Sequence, residues 1–118
     1  MRAVLALSIS LAAAPLAAPA FETITDRDTF LAAVEGRALR IGLLGISLTV
    51  TGEGAISGQA QGSPVTGAWW WEGGLFCRHM TWGDRPIGHN CQKVEIDGAR
   101  IRFTVDAGAG QSAVFTID

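Results

Sequence analysis

The chain predicts a mainly β protein: a short N-terminal helix, then about seven antiparallel strands forming a small barrel or strongly curved sheet, with one disulfide. Three observations carry that expectation. From residue 37 onward, apolar residues recur with period two between glycine-containing turns. Three of those turns, taken independently, put their flanking apolar residues on one face. Finally, the chain holds two cysteines, Cys77 and Cys91, behind a leader with the layout of an export signal.

Residues 1–20 form that leader. Arg2 supplies the positive start, Val4 to Leu16 is mostly apolar, and Ala18-Pro19-Ala20 offers small residues for cleavage. Removing these 20 of the 118 residues leaves 98, one β-rich domain over 21–118 with one modest core. The expected location is periplasmic or secreted, where a disulfide persists. Uncleaved, the leader would be an anchor. After cleavage no apolar run approaches the roughly 18 residues that span a bilayer, so no stable membrane insertion is expected. No cysteine follows the leader to take a lipid. Loss of Arg2 leaves 8 basic residues against 11 acidic, a charge of about −3, which argues against nucleic acid as partner.

The first element after the leader is a helix over 26–35. Thr25 and Asp28 resemble a capping box, Phe30, Leu31 and Val34 make the apolar stripe, and Gly36 stands where a left-handed terminator belongs. A turn at Leu44-Gly45 then pairs Leu43 with Ile46, Ile41 with Leu48 and Leu39 with Val50. Residues 51–64 leave several registers open, because Gly52, Gly54, Gly58 and Gly62 interrupt the alternation. Gly73-Gly74 pairs Trp71 with Phe76, Trp70 with Cys77 and Trp69 with Arg78. Setting Cys77 against Cys91 continues that sheet, with Phe76, Met80 and Trp82 on the face of Val94 and Ile96. Asp97-Gly98 sets Val94 opposite Ile101 and Glu95 opposite Arg100. The loop Asp106–Gly110 brings Val105 near Gln111, Phe103 near Ala113 and Ile101 near Phe115.

Chemistry-bearing residues are few. Facing cysteines in an exported chain make a disulfide, and the spacing is not the short Cys-x-x-Cys of redox couples. The same register sets His79 opposite His89 on the outer face. Reduced, Cys77, His79, His89 and Cys91 make a zinc-type ligand set; oxidised, they leave a histidine pair suited only to weak metal binding. Strand alternation sends Trp69 and Trp71 inward and Trp70 outward over the disulfide, so Trp70 and Trp82 are separate candidates for stacking on a planar ligand. Arg78 is the odd member of the apolar face. It is either a rim arginine reaching solvent or an anion-recognising residue in a barrel mouth, with Trp69 as cation–π neighbour and Asn90 or Gln92 as hydrogen-bond acceptors. No catalytic residues and no cofactor are indicated: there is no Tyr, no local Ser-His-Asp order, and Gly108-Ala-Gly110 opens no helix that would cradle phosphate.

The block Gly67-Ala-Trp69-Trp70-Trp71-Glu-Gly73-Gly-Leu-Phe-Cys77-Arg78, with Cys91-Gln92 and Arg102-Phe103 through Gly110, resembles a family of small exported proteobacterial proteins of uncharacterised function. Some members carry the name dihydrodipicolinate reductase. Enzymes of that activity open on a nucleotide-binding βαβ unit with a glycine-rich turn, which this chain lacks. The expected function is a non-enzymatic binding or interaction module for a small ligand or protein. The alternatives are weak metal binding by His79 and His89, and an enzyme whose site the sequence does not display. Metal titration separates the first two, and a pocket of convergent polar groups would favour the third.

Overall fold

A computed structural model describes residues 20–118, so residues 1–19 of the leader lie outside the described residues. The elements are β1 (Glu22–Ile24), α1 (Arg27–Val34), β2 (Leu39–Ile41), β3 (Ile46–Val50), β4 (Ala55–Ala60), β5 (Ser63–Glu72), β6 (Leu75–Trp82), β7 (Arg85–Asp97), β8 (Arg100–Thr104) and β9 (Ser112–Ile117). Strands β2 to β9 form a closed antiparallel barrel of eight, running β7-β6-β5-β4-β3-β2-β9-β8 and closing through β8 onto β7. Closure joins β8 to Lys93–Asp97 of β7. The long strand β7 divides one edge between two partners. Its Arg85–Gln92 part pairs with β6, and Val94–Ile96 pairs with β1.

The helix starts one residue later than the capping box suggests. Asp26 is the N-cap, its carboxylate accepting from the Thr29 amide at 2.9 Å and the Thr29 hydroxyl at 2.8 Å. Thr25 is used otherwise, its carbonyl accepting from Trp71 Nε1 at 3.1 Å. Either residue type can cap, and that tertiary bond decides between them. The stripe is as expected, with Phe30 and Val34 fully buried, and Gly36 terminates the helix at φ +74°. Phe30 enters an aromatic nest, its ring centroid 5.1 to 6.2 Å from those of Phe76, Trp71, Trp69 and Phe103. The helix thereby packs over one end of the barrel.

Two hairpins differ from the sequence expectation by one step of the pleat. Leu39 pairs with Leu48 and Ile41 with Ile46, so Gly42 to Gly45 form a four-residue connection that leaves Leu43 97% exposed rather than in the core. Only Gly45 takes a positive φ there, +62°. A two-residue type I′ turn would need one at Leu44 as well, which a side chain resists. Likewise Gly98 carries the positive φ at the next hairpin, making Gly98-Ala99 the turn and Ile96 the partner of Ile101. Both shifts are by two residues, so the inward set is otherwise preserved. Glu95 now meets Arg102 instead of Arg100, in a two-pronged ion pair of 3.1 and 2.9 Å. Arg102 also stands 4.1 Å over the Phe21 ring, holding the start of the domain to the sheet.

The glycine-rich stretch becomes a strand, which accounts for the eighth member of the barrel. A Gln61-Gly62 turn with both φ values positive, 50° and 81°, folds β4 onto β5. Gly58 on β4 and Gly67 on β5 both occupy inward positions by register. A Cβ on Gly58 would strike the Ser47 carbonyl, and one on Gly67 the His79 carbonyl. Their absence lets neighbouring strands approach and coil tightly enough to close a small barrel.

The pairings at Gly73-Gly74, at Cys77–Cys91 and across the 106–110 loop match the expected register. Among the described residues, no helix is long and apolar enough to cross a membrane. Two carboxylates tie stability to pH. Bonds from Thr29 hold the Asp26 carboxyl below its ordinary value, and Arg102 does the same for Glu95. Groups with lowered folded-state pKa values stabilise fully above the unfolded carboxylate pKa, about 4, and lose that contribution as pH falls through the folded value. The melting temperature is therefore expected to drop on acidification below about pH 4, and less steeply in Glu95→Gln than in the wild type. Parallel curves for the two proteins would show that the ion pair does not contribute.

Candidate functional site

The barrel is not filled. An apolar cavity of about 300 Å³ lies among inward side chains including Leu39, Val50, Ile56, Phe103, Arg78 and Gln92. A second, of about 290 Å³, is bounded by Leu44, Ile87 and Trp82. Leu48, Met80 and Phe115 wall both. The inward positions of β6 run Phe76, Arg78, Met80, Trp82, from the helix-packed aromatic nest to the second cavity. The alternation that makes β6 a strand thus sets one arginine into an apolar interior.

Arg78 is only 8% exposed, so its interior placement holds and the rim placement fails. Its expected partners do not. Trp69 stacks on Phe76 and takes its cation from Arg27, 5.2 Å above the ring, while Asn90 is bonded to Asp106. Arg78 Nη1 instead donates to the Gly88 carbonyl at 2.6 Å. That carbonyl is presented by a bulge: Arg78 pairs with Asn90 and Met80 with Ile87, leaving His79 facing two residues of β7. Burial pulls the Arg78 pKa below the ordinary arginine value, and none of the ion pairs among the described residues includes it.

On the outside, Cys77 and Cys91 are joined, with Cα atoms 3.9 Å apart and Cys77 fully buried. Trp70 covers this pair from β5, as alternation requires, and its Nε1 reaches only the exposed carboxylate of Glu72, at 3.3 Å. His89 stacks on Trp70 at 5.3 Å between centroids, and His79 lies tilted at 6.0 Å. The bulge replaces the direct opposition of the two histidines, yet both still flank one indole. Potential ligand atoms of Cys77, His89 and Cys91 lie within 4.8 Å of one another, with His89 Nε2 3.8 Å from Cys91 Sγ. Sulfurs bonded to each other are not thiolates, so as folded this group offers a metal little beyond imidazole.

The three aromatic or cationic ligand candidates therefore divide. Arg78 and Trp82 share the interior, whereas Trp70 belongs to the outer histidine cluster. Trp82 Nε1 is bonded to the Ala60 carbonyl at 2.8 Å, which fixes the ring beside the second cavity. Sequence reasoning placed Leu48, Met80 and Phe115 on the inner face but missed the cavity that they wall. No signal in the sequence marks the cavity, because Gly58 and Gly67 serve close strand approach. No family model, curated protein or solved structure matches the chain.

Proposed function

We propose that this protein is an exported, non-enzymatic module that binds a small apolar molecule inside its barrel. The observation that carries this is the unfilled interior of about 300 Å³, apolar on most of its surface and bearing a small number of polar groups. Protein interiors are ordinarily packed to crystal-like density, and preformed sites of about this size or larger are where small ligands bind. The disulfide supports action outside the cytoplasm, as does the composition of residues 1–20. Membership of the exported proteobacterial family suggested by the Gly67–Arg78 block belongs to the same proposal.

The test is titration with N-phenyl-1-naphthylamine, a neutral dye that brightens in apolar surroundings. A saturable, single-site rise in emission is expected. Met80→Trp, which thickens the wall common to both cavities, should remove most of the rise while near-ultraviolet circular dichroism stays native-like. No saturable signal from the wild type would sink the proposal.

A second reading is favoured by one observation, the grouping of Cys77, His89 and Cys91 beside His79 and Trp70. It is weak binding of copper or zinc by the imidazoles. Calorimetry near neutral pH should show small heats with either metal, absent from His79→Ala and His89→Ala. Tight binding that survives both substitutions would exclude this site.

A further inference from the structure

A buried charge is ordinarily paired, because removing it from water costs several kcal/mol unless an opposite charge and hydrogen bonds replace the solvent. A guanidinium cannot escape by shedding its proton. Arg78 is buried, yet the described residues provide one carbonyl, Gly88, and no carboxylate. The bond to Gly88 occupies Nη1. Nε and Nη2, the two donors of the opposite edge, bond to no described residue, and neither is sealed from accessible space. This is the edge with which Arg102 grips both oxygens of Glu95 elsewhere in the molecule. At Arg78 the same edge is free, in a residue that lines the cavity.

We propose that the interior receives an apolar molecule carrying a single carboxylate, with the carboxylate held by Nε and Nη2 of Arg78 and the tail extending past Met80 toward Trp82. This rests on the interior being a ligand site. One guanidinium matches one negative charge; Lys and other Arg side chains are absent from the walls of both cavities, so a doubly charged head would leave charge unmatched. A planar fork also fits a carboxylate with two parallel bonds, and Gln92, on the same wall, supplies a further polar contact. Beyond the head the walls are apolar. From Arg78 to Trp82 is four residues of strand, about 13 Å, which suits a chain of medium length such as decanoate. The competing account is that Arg78 exists only to pin the bulge at Gly88.

The experiment compares decanoate, decanol and decylamine by calorimetry on the purified full chain and on Arg78→Met and Arg78→Lys, with N-phenyl-1-naphthylamine as a head-group-free control. In the wild type, decanoate should bind roughly 10- to 100-fold more tightly than decanol, the range a charge-assisted pair of bonds provides, and decylamine should be the weakest. Arg78→Met should erase the preference while the protein still binds the dye. Arg78→Lys should keep part of it, having the charge without the fork. Dye binding with no preference for decanoate in the wild type overturns the inference but leaves the cavity as a site. Absence of all binding, dye included, overturns the cavity proposal itself. A preference that persists in Arg78→Met assigns the arginine to the bulge alone. If Arg78→Met does not fold, the decanoate-to-decanol ratio in the wild type and in Arg78→Lys still decides.

Discussion

Phe30→Ala is expected to lower the unfolding free energy by about 3–5 kcal/mol, the range for emptying a buried aromatic site. The helix has only eight residues, too few to persist on its own, so its order depends on what it buries. Phe30 is wholly buried and touches the rings of Trp69, Trp71, Phe76 and Phe103, which come from three different strands. Removing its ring takes the common partner from that nest. Because small domains have only about 5–15 kcal/mol of stability in all, the loss should move the urea midpoint sharply. It should also change tryptophan emission before global unfolding, as the helix loosens from Trp69 and Trp71. A midpoint within experimental error of the wild type would mean that the helix merely rests on the barrel.

Removing the disulfide in the double variant Cys77→Ala, Cys91→Ala should cost about 2–5 kcal/mol. The bond closes a loop between residues 14 apart in sequence, and the chain-entropy model gives about 3 kcal/mol for a ring of that length. The location adds to the effect. Cys77 is fully buried beneath Trp70, and beyond the next pair, Arg78 with Asn90, the ladder between β6 and β7 is interrupted by the bulge at Gly88 and His89. The cross-link therefore lies one pair before the irregularity that presents a carbonyl to Arg78. Equilibrium unfolding of the double variant, with and without reductant, checks this. The variant should be insensitive to reductant, whereas the wild type should fall toward it. Equal stability of oxidised wild type and double variant would refute the assignment.

Much of the sheet was legible because a few turns admit only one register. Gly73 and Gly74 both carry positive φ, 58° and 77°, so the two-residue turn was dictated locally, and Trp69, Trp71, Cys77 and Arg78 followed by counting. Cys77 opposite Cys91 followed in turn. Where a single glycine stood beside a side-chain-bearing residue, as at Leu44-Gly45 and Asp97-Gly98, the local signal located the turn only to within a residue or two. The period of two nevertheless kept most inward residues inward, with Leu43 the exception. The strand β4 was obscured for a different reason. Its inward Gly58 is there for close strand approach, and a glycine with a packing role looks the same in sequence as one in a loop.

The candidate site divides along the same line. The sequence by itself determined that Arg78 shares a face with Phe76 and Met80, that Trp70 points away from that face over the cysteines, and that the two histidines flank the disulfide. Those are consequences of alternation along strands and of pairing across a turn, which act over a few residues. The tertiary structure decided that eight strands close, that the face becomes the lining of an incompletely filled interior, and that a bulge turns the Gly88 carbonyl toward the guanidinium. Closure depends on how tightly neighbouring strands coil, and a cavity depends on whether side chains from all of them together fill the space. Those are sums over residues far apart in the chain, so a buried arginine with one free edge came into view only once the barrel was closed.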